Sequence, residues 1–108
     1  MAIHELRIYD VIPGRMPAMH ARFANVTSKL FDKHGIRVVA YWENLIGQSN
    51  QLVYLVEWEN LAEREARWDR FAADPEWIAA RAKSEEDGPI VARVTNSILK
   101  PTAYSPLK

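Results

Sequence analysis

A strand–helix–strand pattern occurs twice in the chain, and this repetition constrains the fold more than any other feature of the sequence. In the first copy, residues 3–9 alternate between two sets of side chains, which predicts a β-strand with two unlike faces. After a break at Pro13-Gly14, apolar residues recur at gaps of three and four, and Gly35 suits the position just past a helix end. The residues of this predicted helical stripe are Met16, Met19, Phe23, Val26 and Leu30.

The middle of the chain has the pattern of a β-hairpin. Residues 36–45 and Gln51–Trp58 are both rich in β-branched and aromatic side chains, which are common in strands. The short polar segment 46–50 separates them. Two strands joined in this way are predicted to pair antiparallel.

The second copy of the pattern begins with a helix in two pieces. Asn60 and Glu63 have the spacing of a capping box, which satisfies backbone N–H groups at a helix start. Asp74-Pro75 ends this first piece and begins another, angled piece over residues 76–86, because Asp is a good cap and Pro a good first helical residue. Large apolar residues at helical spacings are predicted to pack in the core: Trp68, Phe71, Trp77 and Ile78.

Residues 90–99 alternate again after Gly88-Pro89 and supply a fourth strand. The element order is therefore β-α-β-β-α-β, which predicts an α+β, ferredoxin-like fold with a four-stranded antiparallel sheet. We expect the strand order 4-1-3-2, with both helices on one face of the sheet. Residues 1–100 form the single predicted domain, and residues 101–108 an extended tail.

The alternation within the strands predicts which side chains face the helices. Leu6 and Ile8 are the apolar set of the first strand, so we expect them to face the helices, together with Val53 and Leu55 of the third. In the last strand, Ala92, Val94 and Ile98 are expected to face the same way. The opposite, open face would then carry mostly charged, aromatic or polar side chains: Glu5, Arg7, Tyr9, Tyr54, Val56, Trp58, Arg93, Thr95 and Ser97.

The second strand is ambiguous in this respect. One set of alternate residues is Val38, Ala40 and Trp42, and the other is Val39, Tyr41 and Glu43. We favour the second set for the open face, because it places Tyr41 among the other aromatic and polar residues.

A sheet face of this composition needs a partner, because exposed aromatic patches usually mark interaction surfaces. A second copy of the chain, related by a two-fold axis, is the simplest partner. The sequence therefore predicts a homodimer with a cavity between the two sheets. The alternative is that the charged residues form only ion pairs between strands or between chains.

Candidate chemistry centres on the residues predicted to line this cavity. Arg7 and Arg93 lie on strands expected to be neighbours, so their guanidinium groups are candidates to hold one carboxylate or enolate of a small ligand. Glu5 beside them is either a base or their counter-ion, and Tyr9 and Tyr54 are candidate acids or oxyanion donors. The remaining predicted ligand contacts are Tyr41, Trp58 and Thr95.

Composition excludes several other classes of function. The chain has no cysteine, which excludes thiolate metal sites and thiol nucleophiles, and its net charge of zero argues against nucleic-acid binding. Without a long apolar run or an apolar leader, we expect a cytoplasmic protein with no membrane partner. The spacing of His4, His20 and His34 matches no metal motif, so no metal or cofactor is predicted. If haem were bound, its ligand would be His20 or His34. His4 is expected on the helix side of the first strand.

Several segments resemble the NIPSNAP family along nearly the whole chain. The residues that carry the resemblance are Glu5-Leu6-Arg7-Ile8-Tyr9, Pro13-Gly14, Val53-Tyr54-Leu55-Val56-Glu57-Trp58, Leu61-Ala62-Glu63-Arg64-Glu65 and Asp74-Pro75-Glu76-Trp77. The resemblance implies a dimeric α+β barrel, related to small monooxygenases, haem-degrading enzymes and lactone isomerases. The family has no agreed catalytic residues, so none is carried over to this chain.

Two functions follow as alternatives. The first is a homodimer that binds or transforms a small aromatic or acyl molecule, with monooxygenase-like or isomerase-like chemistry that needs no cofactor. The second is a non-catalytic dimerisation or protein-interaction module, in which the same residues serve only the interface.

Overall fold

Four strands form one antiparallel sheet in the computed structural model, which describes residues 2–108. The strands are β1 (Ile3–Val11), β2 (Arg37–Glu43), β3 (Gln51–Trp58) and β4 (Val91–Leu99). Their order across the sheet is β2-β3-β1-β4, so the predicted order is confirmed. The long strands β1 and β3 are central, which places any side chain near their middle at the centre of the fold.

The first helical segment contains a π-helical turn that the sequence pattern did not predict. It consists of α1 (Met16–Arg22), the π turn (Phe23–Thr27) and α2 (Ser28–Lys33), and the Ser28 N–H donates to the Phe23 carbonyl five residues earlier. A π turn inserts one residue into the helix and rotates everything after it. For this reason Thr27 and Phe31 are buried, although neither belongs to the predicted stripe.

The second helical segment is divided at Asp74, as predicted, into α3 (Leu61–Ala73) and α4 (Pro75–Ser84). Asp74 caps α4, because its side chain accepts a hydrogen bond from the Glu76 N–H at 2.9 Å. Asn60 likewise accepts from the Glu63 N–H at 2.8 Å at the start of α3. The element order is therefore βαββααβ.

The faces of β1 and β3 are inverted relative to the prediction. Glu5 and Arg7 face the helices and are buried, as is Tyr54. Leu6 and Leu55 lie on the open face and are only half-buried. The same inversion places Tyr9, Val56 and Trp58 on the helix side and Ile8 and Val53 on the open side.

The assignment of β2 was also wrong. Tyr41 pairs with Tyr54 across the strands and therefore shares its helix-facing side. Its ring centroid lies 5.3 Å from that of Tyr54 and 5.6 Å from that of Phe23 in the π turn. Trp42 pairs with Val53 and lies on the open face, where it is 51% exposed.

The predicted facing of β4 is correct. Because β1 is inverted and β4 is not, Arg93 and Thr95 lie on the opposite face of the sheet from Glu5 and Arg7, with which they were expected. Val94 pairs with Tyr9 and therefore lies on the helix side, so its neighbours Arg93 and Thr95 lie on the open side. His4 alternates with Glu5 and is on the open side too, not on the helix side as predicted.

Aromatic rings fill the space between the sheet and the helices. Phe31 and Phe71 have centroids 4.9 Å apart, and Trp77 of α4 lies 4.8 Å from Phe71. Ile78 was predicted to join this core but is 56% exposed, because the neighbouring Trp77 points towards Phe71 instead. Within residues 2–108, no helix has the length and apolar character needed to cross a bilayer.

Candidate functional site

The centre of the candidate site is the carboxylate of Glu5, which is completely buried between the sheet and α3. Arg64 of α3 donates to both of its oxygens, at 2.7 Å and 3.0 Å. Further hydrogen bonds come from Arg7 at 2.9 Å, Asn96 at 2.9 Å and the Trp58 indole at 3.1 Å. The carboxylate is therefore fully satisfied inside the protein.

These contacts decide the ionisation of Glu5. Burial opposes the charge, but the hydrogen bonds from Arg64 and Asn96 and the charge of Arg7 outweigh it and lower the pKa of Glu5 to about 2. A carboxylate with so low a pKa and no free lone pair accepts protons poorly at neutral pH. Of its two predicted roles, the geometry favours counter-ion over base.

Arg7 connects Glu5 to a pair of tyrosines. Its guanidinium carbon lies 4.3 Å from the Trp68 ring centroid, so the charge stacks against an aromatic face. Its Nε donates to the Tyr54 hydroxyl at 2.9 Å, and an Nη lies 3.4 Å from the Tyr9 hydroxyl. Burial opposes the charge, but the nearby Tyr54, Tyr9 and Glu5 groups outweigh it and raise the pKa of Arg7. The cluster therefore holds a permanent positive charge.

The two tyrosine hydroxyls lie 2.7 Å apart and share a hydrogen bond. Burial raises the pKa of Tyr54 well above its ordinary value, so this phenol stays neutral. Either hydroxyl can be the donor, and the shorter hydrogen bond from Arg7 to Tyr54, at 2.9 Å against 3.4 Å to Tyr9, favours Tyr54 as the donor. With Tyr54 as that donor, the Tyr9 proton is free to be donated to a ligand, as an oxyanion donor requires.

Tyr9 and Arg7 line a cavity of about 400 Å³ between the sheet and the helices. Six aromatic side chains face it, contributed by β1, the first helical segment, α3 and α4: Tyr9, Phe23, Phe31, Trp68, Phe71 and Trp77. The wall also contains two buried polar residues of the first helical segment, Arg22 and Thr27. This volume and this mixture are typical of small-molecule sites.

Arg22 and Thr27 were missed by sequence reasoning. The Arg22 guanidinium lies 3.3 Å from the Ser84 hydroxyl and 3.4 Å from Glu85, while the Arg22 Nε has no partner. Burial lowers the pKa of Arg22, and the charge of Glu85 offsets this only in part. The Thr27 hydroxyl has no partner either. Arg22 lies three residues after Met19, so a charge on the apolar stripe was the available signal. Thr27 gave none, since only the π turn brings it inwards.

The remaining predicted site residues do not all belong to this cluster. Trp58 joins it through Glu5, whereas Tyr41 lines a different groove, beside His20 near the edge strand β2. Arg93 lines the same cavity as Arg7, but its side chain is 72% exposed and pairs with Asp10 at 3.1 Å. Thr95 pairs with Ile8 on the open face.

Most of the residues predicted to line a cavity between two sheets lie on the opposite face of the sheet. The polar and aromatic residues converge between the sheet and the helices of one chain, not between the sheets of two chains. The physical reason is that α3 supplies Arg64 for Glu5 and Trp68 for Arg7, so charged side chains are stable on the covered face.

The two histidines named as candidate haem ligands lie away from this cavity. His20 lies 3.1 Å from Glu43 and His34 lies 2.7 Å from Asp74, so both candidate ligands contact carboxylates elsewhere in the fold. Among residues 2–108, no histidine faces the cavity.

The fold and the site define the class as an α+β protein with a charged, aromatic cavity under its helices. The family model described as NIPSNAP matches residues 4–106. An uncharacterised NIPSNAP-like domain protein of Burkholderia xenovorans is 31% identical, with a TM-score of 0.86, over 97% of this chain and 89% of that one. The chain belongs to the NIPSNAP family.

Other solved structures agree. A NIPSNAP family protein of unknown function from Agrobacterium tumefaciens is 27% identical, with a TM-score of 0.87, over 99% of this chain and 94% of that one. A second NIPSNAP family protein of that organism shares the fold over the full length of both chains, with a TM-score of 0.90 at 24% identity. No curated protein matches the sequence.

Proposed function

We propose that this NIPSNAP-family protein is a homodimer that binds a small aromatic or acyl molecule within each protomer. The observation that carries the proposal is the cavity of about 400 Å³ between the sheet and the helices, with six aromatic walls. The hydroxyl of Tyr9 and the charge of Arg7 lie at one side of it and supply directional contacts. An apolar lining with a few convergent polar groups supports binding of a flat or acyl ligand.

The homodimer is supported by the open face of the sheet. Its central residues are aliphatic and half-buried: Leu6, Ile8, Val53 and Leu55. Trp42 continues this surface and is half-exposed. A contiguous apolar sheet face favours association with an identical face across a two-fold axis, since each copy then removes the apolar surface of the other from water.

A cavity-filling substitution tests the binding proposal. Ala92→Phe places a ring into the cavity wall from β4, and Ala79→Phe adds the same ring on the exposed surface of α4 as a matched control. Naphthylacetate and octanoate are the probes, and the Tm of each protein is measured with and without them. We expect both probes to raise the Tm of the parent protein and of Ala79→Phe, and not that of Ala92→Phe.

Two outcomes would contradict parts of the proposal. If neither probe stabilises the parent protein while sedimentation shows a dimer, ligand binding is wrong and the interaction-module alternative is supported. If both variants respond equally, the probes bind outside the cavity.

A further inference from the structure

We propose that the ligand carries a carboxylate, and that Arg22 and Thr27 hold this group at the helix-facing wall of the cavity. This inference rests on the ligand-binding function proposed above and names the chemical class of the ligand. Both residues are more than nine-tenths buried, and both line the cavity.

Arg22 and Thr27 each have a buried polar atom without a hydrogen-bond partner. These are the Nε–H donor of Arg22 and the hydroxyl of Thr27. Buried polar groups in proteins nearly always have a hydrogen-bond partner, so two such atoms in one cavity wall point to a group that completes them. A carboxylate does so, because it accepts from both a guanidinium and a hydroxyl.

The balance of charge around the cavity also favours an anionic ligand. On the sheet side, the single carboxylate of Glu5 serves two guanidinium groups. On the helix side, Glu85 lies 3.4 Å from Arg22 and 3.6 Å from Arg81, so one carboxylate again serves two arginines. The helix-side group therefore retains one positive charge, whereas on the sheet side Asp69 also acts on Arg64. A positive excess beside a partly desolvated cavity favours an anionic ligand.

The surroundings of Arg22 and Thr27 favour a carboxylate attached to an apolar body. Phe23 precedes Thr27 by four residues and Phe31 follows it by four, and both rings line the cavity together with Thr27. Trp77 stacks 5.4 Å from the Arg22 guanidinium and continues the apolar surface. A singly charged head matches one uncompensated guanidinium, and an aromatic or acyl body matches the rings.

The test compares a carboxylate with its uncharged amide. Naphthylacetate and naphthylacetamide have nearly the same shape, and calorimetry measures the affinity of each for the full chain. For the parent protein we expect the carboxylate to bind at least about tenfold more tightly. Arg22→Gln should abolish this preference while leaving amide binding within about twofold.

Two further variants keep the carboxylate preference testable if Arg22→Gln does not fold. Thr27→Val keeps the shape of the side chain and removes the hydroxyl, and should reduce the preference about threefold to tenfold. Arg37→Gln is the matched control, because Arg37 is exposed on β2 and pairs with Glu63. It should leave the preference unchanged.

The outcomes separate this inference from the function on which it rests. Equal binding of the carboxylate and the amide by the parent protein would overturn the inference and leave the cavity a ligand site. A preference that survives both Arg22→Gln and Thr27→Val would also overturn it. Failure of both compounds to bind would contradict the proposed function itself.

Discussion

The two faces of the sheet differ in chemistry. Charged residues lie on the face that the helices cover and apolar residues on the open face, which is the opposite of the usual placement of apolar groups inside and charged groups outside. The face covered by helices holds Glu5, Arg7 and Tyr54, all buried. The open face holds Leu6 and Leu55, which are only half-buried. Charge is stable on the covered face because the helices bring complementary groups to it. Available hydrogen-bond and ion-pair partners, more than polarity, therefore decide on which face a side chain is placed.

Removal of the central charge should have the largest effect. In Glu5→Gln, the guanidinium groups of Arg7 and Arg64 lose their shared anion, and we expect the free energy of unfolding to fall by about 3–5 kcal/mol. Glu57→Gln makes the same change on the other face of β3 and should alter stability by less than about 0.5 kcal/mol. Urea denaturation of both variants measures the contrast. Similar losses would remove the distinction between the two faces.

Acid should weaken the covered face selectively. The pKa of Glu5 is lowered from 4.5 to about 2 in the folded protein, so its ionised form stabilises the fold above pH 4.5. This contribution, about 3 kcal/mol, is lost as the pH falls from 4.5 towards 2. Other lowered carboxyl groups, such as Asp74, contribute to acid unfolding in every variant. The contribution of Glu5 is the difference in the free energy of unfolding between the parent protein and Glu5→Gln, measured as a function of pH. A difference that does not change with pH would contradict this prediction.

The open face is tested by introducing a charge. Leu55→Glu places a carboxylate at the centre of the proposed dimer interface and should weaken dimerisation by at least about 100-fold, or about 3 kcal/mol. Leu61→Glu makes the same substitution at an exposed site on α3 and should leave the dimer intact. Sedimentation equilibrium measures both. A Leu55→Glu protein that remains dimeric would place the interface elsewhere.

The smallest effect is expected at the tyrosine pair. Tyr54→Phe removes the hydroxyl that accepts from Arg7 and contacts Tyr9, and should cost about 1–2 kcal/mol of stability. Tyr9→Phe should cost less, because Arg7 lies farther from that hydroxyl, but it should weaken ligand binding more. Denaturation and calorimetry on the two variants measure these effects. The opposite order in both measurements would assign the donor role to Tyr54.

Local patterns predicted most of the fold. Strand alternation, the stripe that starts at Met16 and the cap at Asp74 each depend on near neighbours, so the elements and the sheet order follow from the sequence. The grouping of Glu5, Arg7 and Tyr54 on one face also follows from alternation. Which face they share does not, because it depends on Arg64 and on other residues far away in the chain. The π turn has no sequence pattern, and this hid Thr27.

The most direct test of the account is the position of a bound ligand. A crystal of the protein soaked with bromonaphthylacetate locates the bromine by its anomalous signal. We expect one bromine site in each protomer, between β1 and the rings of Phe23, Phe71 and Trp77, with the carboxylate towards Arg22. A bromine site between the open faces of two sheets would contradict it.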